Sequence, residues 1–311
     1  MADYLVEKPF LTILKIFGLG PYTQTESGFY KVSKNLSIYF VIVIIYNVLL
    51  QNTTFYEYIS DKQDFQTIFL QAFQFIDYFG FSLSCCFSAI ILFRKRFIFC
   101  EALNKIIKLN HELKNFDGTL QTSKSFFCMS QFGLLLLVNI IRSLYLIIHN
   151  KRLLAYLILL FAFSTLCQIL LMDLFFTFLI LNIKNLFRNL NIITEKILKE
   201  RKIEKMKLGS GVNILADQII FIKKLHKDIY FTVSNINEEY SDINVMSMAY
   251  SATVLIYSPF VSRHWDGVER ILSSVFWIAF FLMKMLLVLY VCTETTKEVN
   301  FKWARYTLYR D

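Results

Sequence analysis

Four ionisable side chains lie inside long apolar runs of this sequence, namely Asp77, Arg142, Asp173 and Lys284. A charge in such surroundings is costly unless it is paired or serves a function. Asp173 and Lys284 each lie in the half of an apolar run that is nearer to a strongly basic segment of the chain. If both runs cross a membrane, the two side chains lie at similar depth in it. We therefore predict an ion pair between them. Removing one member would leave a buried charge, which destabilises more than the intact pair stabilises.

A second group of polar side chains surrounds the other two charges, toward the opposite ends of their runs. It consists of Gln71, Gln74, Asp77, Arg142 and Tyr145. These groups could face one cavity that opens away from the basic segments and binds a small molecule. The alternative is that Arg142 extends to water with its stem in apolar surroundings, while Asp77 hydrogen-bonds a neighbouring helix.

Four aromatic side chains lie at similar depths in later runs, namely Tyr156, Tyr250, Tyr257 and Trp277. Aromatic residues at such depths form an interfacial belt in many membrane proteins. An apolar cavity with a few hydroxyl and amide groups is also what a small-molecule pocket requires. We keep both interpretations and add these four residues to the five above as candidate ligand-binding residues.

Catalytic motifs are absent from the sequence. There is no H-E-x-x-H, C-x-x-C or G-x-S-x-G pattern, and Gly209-Ser210-Gly211 opens neither a phosphate-binding loop nor a dinucleotide-binding turn. The four histidines are scattered along the chain, so no metal-ligand spacing is present. We predict neither an enzyme nor a metal or cofactor site.

The elements that would position these residues follow from composition. The chain has 311 residues, of which only 3 are proline. Its hydrophobic share of 56% exceeds the apolar share of soluble domains. A helix needs roughly 20 apolar residues to cross the hydrocarbon layer. An all-α, multi-pass membrane bundle with six spans is predicted, at residues 36–55, 65–93, 126–148, 153–181, 241–261 and 271–292.

Basic residues indicate the orientation of these spans. Of the 33 lysines and arginines, 26 lie in the N-terminal segment, the loops after spans two and four, and the C-terminal tail. Since cytoplasmic loops retain positive charge, both termini are predicted to be cytoplasmic. The net charge of +9 thus reflects topology and does not indicate nucleic-acid binding. Asn52 begins an Asn-Thr-Thr glycosylation sequence on the predicted outer side.

The predicted organisation has five parts. They are a cytoplasmic N-terminal segment (1–35), spans one to four (36–181), a cytoplasmic helical pair (182–240), spans five and six (241–292) and a cytoplasmic tail (293–311). Apolar residues from Leu215 to Ile236 recur at heptad spacing, interrupted by His226. This seam favours packing within the chain, or alternatively contact between subunits.

The sequence resembles insect gustatory receptors, and more broadly the insect chemoreceptor superfamily. The stretch Lys15-Ile16-Phe17-Gly18-Leu19-Gly20-Pro21-Tyr22 before span one looks like the opening of that family. Further similarity lies in the segment from Leu225-His226 to Asn235-Ile236-Asn237, and at the end of span six, where Cys292 precedes Glu298. The resemblance extends over nearly the whole chain.

That resemblance implies a subunit of a tetrameric, ligand-gated, non-selective cation channel in the plasma membrane of taste neurons, on the dendrite and cell body. A tastant would bind among the first six spans, and a seventh span would line the pore. The family's last span ends in a Thr-Tyr, four apolar residues, Gln-Phe motif, which residues 302–311 lack. We therefore expect a C-terminally truncated sequence.

Other functions remain open at this stage. Within the superfamily, the alternative is an odorant receptor subunit that requires a co-receptor. From other classes, the chain could be a six-span transporter or a non-conducting regulatory subunit. The expected partners are a small-molecule tastant, the lipid bilayer and other receptor subunits in a homo- or hetero-tetramer.

Overall fold

The computed structural model describes residues 8–60, 80, 83–116, 130, 133, 137, 153–207, 212–263 and 268–307. Helices account for most of this part of the chain. The elements are α1 (Lys8–Ile16), β1 (Tyr22–Gln24), β2 (Tyr30–Val32), α2 (Lys34–Ser60), α3 (Leu83–Arg94), α4 (Arg96–Phe116), α5 (Leu153–Lys207), α6 (Val212–Arg263) and α7 (Val268–Thr307). The predicted all-α class is confirmed.

Helix α1 ends at a glycine that the chain requires for two reasons. Gly18 has φ 73°, a conformation that side chains with a Cβ rarely adopt. The Gly18 N–H bonds to the Lys15 carbonyl at 3.0 Å, and the Leu19 N–H to the Leu14 carbonyl at 2.7 Å, which is the Schellman pattern. A Cβ on Gly18 would also lie 3.1 Å from the Val43 side chain of α2.

Strands β1 and β2 form a short antiparallel hairpin, which the sequence pattern did not predict. Tyr22 pairs with Val32, and Gln24 with Tyr30. The outer edge of β2 bonds to side chains of α4. Asn104 accepts from the Tyr30 N–H at 2.7 Å and donates to the Tyr30 carbonyl at 2.8 Å, and the Cys100 thiol donates to the same carbonyl at 3.3 Å. Strands of three residues are too short to give an alternating pattern, so a distant asparagine supplies the bonds that fix them.

Helix α5 is the central helix of the described structure. It is continuous from Leu153 to Lys207, so one helix contains the residues of predicted span four and the first part of the predicted helical pair. Helix α6 runs antiparallel to it, since Met172 contacts Tyr240 and Phe187 contacts His226. The heptad seam faces this contact, with Ile222, Ile229 and Ile236 buried. The segment Gly209-Ser210-Gly211 lies outside the described residues.

Two outer helices expose apolar faces at helical spacing. In α2 the exposed residues are Ile38, Ile42, Ile45 and Leu49; in α7 they are Val275, Leu282, Leu286 and Leu289. Within the described residues, two segments are long and apolar enough to cross a membrane, Cys167–Ile197 and Ile278–Val299. Shorter apolar helices occupy Lys34–Leu49 and Leu83–Arg94. Most of predicted span three lies outside the described residues.

An aromatic cluster joins α4, α5 and α6. The Tyr240 ring lies 5.1 Å from Phe99 and 5.0 Å from Phe176, centroid to centroid. The Tyr240 hydroxyl donates to the Met172 carbonyl at 2.7 Å, so its one polar atom is satisfied although the side chain is fully buried. This contact fixes the register of α6 against α5 close to the charged residue Asp173.

Candidate functional site

Asp173 of α5 and Lys284 of α7 meet in the core of the helical bundle. The Lys284 Nζ lies 2.8 Å from the Asp173 Oδ2, and the two side chains are only 2% and 5% exposed, respectively. The structure thus brings together the two residues that the sequence placed at matching depth. A pair this deeply buried is retained only if its geometry is good and further hydrogen bonds satisfy its remaining atoms.

Ser247 of α6 supplies such hydrogen bonds to the carboxylate, whereas the Lys284 Nζ has the ion pair and no further hydrogen bond among the described residues. Its hydroxyl lies 2.9 Å from the Asp173 Oδ1 and 3.1 Å from the Oδ2, and donates to the carboxylate. One carboxylate therefore connects three long helices. Ser247 was not among the predicted site residues, because a single serine in an apolar run usually bonds to its own helix, as Ser251 does with the Ser247 carbonyl.

A small cavity lies beside the carboxylate. Its volume is about 10 Å³, which is roughly the space that one water molecule requires. Two serines of α3, one helical turn apart, face α5 and α6 across it. The cavity is lined by Ser84, Ser88, Ile169, Met172, Asp173, Ile243 and Ser247. With hydroxyl and carboxylate groups on several sides, the cavity can hold a water molecule that joins α3 to the ion pair.

Tyr250, one of the nine candidate ligand-binding residues, lies near this charged site. Its ring packs edge-to-face on Phe281 of α7, with 5.5 Å between centroids. Phe281 in turn lies 5.6 Å from the Lys284 Nζ. On the other side, a Cβ on Gly80 would lie 3.7 Å from the Tyr250 ring, so the backbone near α3 comes close to it. A ring between three helices is well placed to respond to a change in their spacing.

Tyr250 is the one candidate pocket residue whose side-chain contacts are described. Five of the other candidates lie outside the part of the chain that the structure describes, namely Gln71, Gln74, Asp77, Arg142 and Tyr145. The backbone positions of Tyr156, Tyr257 and Trp277 fall in α5, α6 and α7, respectively, and that of Asn52 in α2. The pocket formed by the nine residues therefore stays a prediction.

A second buried polar network joins α2, α3 and α5. The Asn47 amide donates to the Gln168 Oε1 at 2.7 Å, and the Cys85 thiol donates to the same oxygen at 3.3 Å. The Gln168 amide in turn donates to the Phe17 carbonyl after α1 at 3.2 Å. These residues were not among the predicted site residues. One asparagine and one glutamine in apolar runs were nevertheless a usable signal, since buried amides need partners.

His226 interrupts the buried seam between α5 and α6. Its ring lies edge-to-face on Phe187, 5.5 Å away, and burial lowers the pKa of the imidazole because the charged form loses hydration. Its role here is packing. Among the residues that the structure describes, no three His, Cys, Asp or Glu side chains lie together as metal ligands would.

Comparisons with known proteins agree with this architecture. The sequence profile of the 7tm chemosensory receptor family matches residues 7–300. The structure of the insect olfactory receptor OR5 from Machilis hrabei superposes with a TM-score of 0.69 at 15% sequence identity. That match covers 94% of this chain and 80% of the receptor chain. No curated protein is significantly similar to the sequence.

Proposed function

Because the chain belongs to the 7tm chemosensory receptor family, we propose that it is a gustatory receptor subunit. A small tastant would bind among its membrane helices and favour the open state of a non-selective cation channel. The channel would be a homo- or hetero-tetramer in the plasma membrane of a taste neuron. The family is membrane-embedded, which agrees with the long apolar helices and their exposed apolar faces.

The observation that carries the proposal is the line of contacts from Tyr250 to Asp173. Tyr250 packs on Phe281, Phe281 lies beside Lys284, and Lys284 pairs with Asp173. A ligand can shift an equilibrium only by binding two states with different affinity. A tastant that moves the Tyr250 ring would change the packing of α6 on α7 directly above the ion pair.

The buried ion pair between Asp173 and Lys284 limits how far α7 can move relative to α5. Its partners lie on different helices, so a shift of α7 along α5 would lengthen the Lys284 to Asp173 distance in apolar surroundings. Charged contacts of this kind favour one arrangement of helices over nearby ones, because intermediate positions leave a charge unpaired. We therefore propose that the pair belongs to the element whose two positions the tastant biases.

Current recording from cells that express the chain with other chemosensory receptor subunits tests the proposal. Tyr250→Ala should shift the tastant concentration for half-maximal current, up to about tenfold, because an aromatic pair contributes about 0.5–1.5 kcal/mol beyond its buried area. The matched control is Tyr230→Ala, an exposed tyrosine on the same helix. Surface labelling should show equal delivery of both variants.

The same recordings separate the alternatives. Silence with every tastant class, at confirmed surface expression, would contradict the channel proposal. Currents that require an odorant co-receptor would identify an odorant receptor subunit. Radiotracer uptake without channel currents would indicate a transporter, and suppression of another receptor's currents would indicate a regulatory subunit. An equal shift in Tyr230→Ala and Tyr250→Ala would remove Tyr250 from the ligand-binding region.

A further inference from the structure

An exposed apolar face of α3 ends in an arginine. Leu83, Phe87 and Ile90 lie on this face at helical spacing, and all three are exposed. Arg94 occupies the next position of the same face and is also exposed. In a membrane protein, exposed apolar side chains contact acyl chains. The change from Ile90 to Arg94 therefore marks the depth at which hydrocarbon gives way to lipid headgroups.

Apolar side chains flank Arg94 on its far side as well. Phe97 is 61% exposed and Ile98 is 41% exposed, both in the first turn of α4. Aromatic and aliphatic side chains beside a cation suit the boundary of a bilayer, where the ring lies among the upper acyl carbons and the cation meets phosphate. A surface that faces only water would offer the Phe97 and Ile98 side chains no apolar contact.

A second arginine, Arg96, follows two residues further along the chain and has fixed contacts. The Arg96 Cζ lies 4.0 Å from the centre of the Phe93 ring and 4.8 Å from that of Phe97. Its Nη1 donates to the Phe93 carbonyl at 2.7 Å, which caps the end of α3. These contacts fix the Arg96 side chain beside Phe93 and the exposed Phe97, and no carboxylate among the described residues pairs with it.

The lysine between the two arginines is already paired. Lys95 lies 3.0 Å from a Glu239 carboxylate oxygen and 3.7 Å from one of Asp242, so it points toward α6. Arg94 makes no ion pair with any described carboxylate. The next acidic residue along the exposed face, Glu101, is seven positions further along the chain. Arg94 is thus the available cation at this boundary.

We propose that Arg94, with Arg96 beside it and Phe97 and Ile98 as apolar contacts, binds the phosphate of an anionic phospholipid. The lipid lies in the leaflet that faces the N-terminal segment. Arginines two residues apart in the chain, with Arg94 exposed and unpaired among the described residues, favour a headgroup with net negative charge over a zwitterionic one. The acyl chains extend along the exposed face from Ile90 toward Leu83. A free phosphate ion would leave this apolar face without a ligand.

Photocrosslinking in lipid nanodiscs tests the site. The full chain is reconstituted in phosphatidylcholine with either photoactivatable phosphatidylserine or photoactivatable phosphatidylcholine, and adducts are mapped by mass spectrometry. In the wild type, phosphatidylserine should label the peptide containing Phe97 and Ile98 about fivefold more than phosphatidylcholine. Arg94→Gln should remove this preference. Lys108→Gln, which changes an exposed lysine further along α4, should leave the preference unchanged.

Several outcomes would overturn the proposal. Equal labelling by the two lipids in the wild type would show that no anionic site exists, without reference to any variant. A preference that persists in Arg94→Gln would place the site elsewhere. Loss of the preference on adding inorganic phosphate at constant ionic strength would identify a site for a free anion. Arg94→Lys, which keeps the charge, should retain part of the preference and so support the assignment.

Discussion

Helices α5 and α7 are joined by two charged contacts that differ in their surroundings. Asp173 and Lys284 lie 2.8 Å apart with 5% and 2% of their side chains exposed, respectively. Lys184 and Glu294 lie 3.3 Å apart with 21% and 27% exposed. The second contact lies roughly 16 Å further along α5, at about 1.5 Å per residue. The same two types of charge therefore connect the same two helices, once in the core and once near water.

The difference teaches which contact determines the packing of the two helices. In the core, removing one partner leaves a charge with neither water nor a counterion, which is strongly destabilising. At the more exposed contact between Lys184 and Glu294, here called the outer contact, water and salt ions replace a lost partner, so little stability is lost. Glu294 also has a second cation, since the Lys297 Nζ lies 2.8 Å from its other oxygen. The buried pair therefore fixes the register, and the outer pair follows it.

The largest predicted effect is that of breaking the buried pair. Asp173→Ala should lower the free energy of unfolding by about 3–5 kcal/mol, because Lys284 is left as an unpaired charge in the core. Thermal unfolding of the purified protein in detergent measures this loss, and reduced surface delivery in cells should accompany it.

A double variant distinguishes loss of a partner from loss of packing. Asp173→Asn combined with Lys284→Met removes both charges and keeps the side-chain volumes similar, so it should recover most of the stability lost by Asp173→Ala. If the double variant is as unstable as the single one, the charges do not explain the effect. The difference in stability between the buried and the more exposed contact would then come from packing alone.

The second effect comes from Ser247. Ser247→Ala removes the hydroxyl that donates to both Asp173 oxygens but keeps Lys284 in place, so a loss of about 2 kcal/mol is expected. The same unfolding measurement applies. Ser234→Ala, which changes an exposed serine of α6, should have no measurable effect. Equal effects of the two variants would contradict a specific role for the Ser247 hydroxyl.

Much of the fold could be predicted from sequence because long apolar runs and basic loops carry a simple physical signal. The hairpin could not, since its strands have three residues each and depend on Asn104, more than 70 positions away. Helix ends show the same limit. Gly18 could be seen as a helix stop, but its close approach to Val43 depends on where α2 packs.

The candidate site was predictable where charge made a residue conspicuous. Asp173 and Lys284 were paired on sign and depth alone, because few apolar surroundings tolerate a single charge. Ser247 and the cavity near Ser84 were not foreseen, since serine is common in membrane helices and gives no sign of its partner. The network between Asn47 and Gln168 joins residues 121 positions apart. A pairing at that separation depends on the packing of α2 against α5.

The third effect concerns pH and the seam between α5 and α6. Burial lowers the pKa of His226 below its ordinary value of 6.5, so the folded seam favours the neutral ring. Stability from this group is therefore complete above about pH 6.5 and falls as the pH drops through the lowered pKa. The hydrogen-exchange protection factors of residues 217–240, in which the pH dependence of the intrinsic exchange rate is divided out, should fall on acidification.

His226→Leu should remove this pH dependence, because leucine continues the apolar seam and does not titrate. His111→Leu, which changes an exposed histidine of α4, serves as the control and should leave it intact. An unchanged acid response in His226→Leu would assign the response to the carboxylates of the seam region. The effect should be smaller than that of Ser247→Ala, since His226 is only partly buried.

The smallest predicted effect is that of the outer contact. Glu294→Gln removes the carboxylate that lies near both Lys184 and Lys297. At physiological salt, no measurable change in unfolding is expected, because water hydrates both lysines once the carboxylate is gone. At low salt a slight loss should appear, and Lys184→Gln should give a similar result. A loss as large as that of Asp173→Ala would show that the outer contact also fixes α5 against α7, and burial would no longer explain the difference between the two pairs.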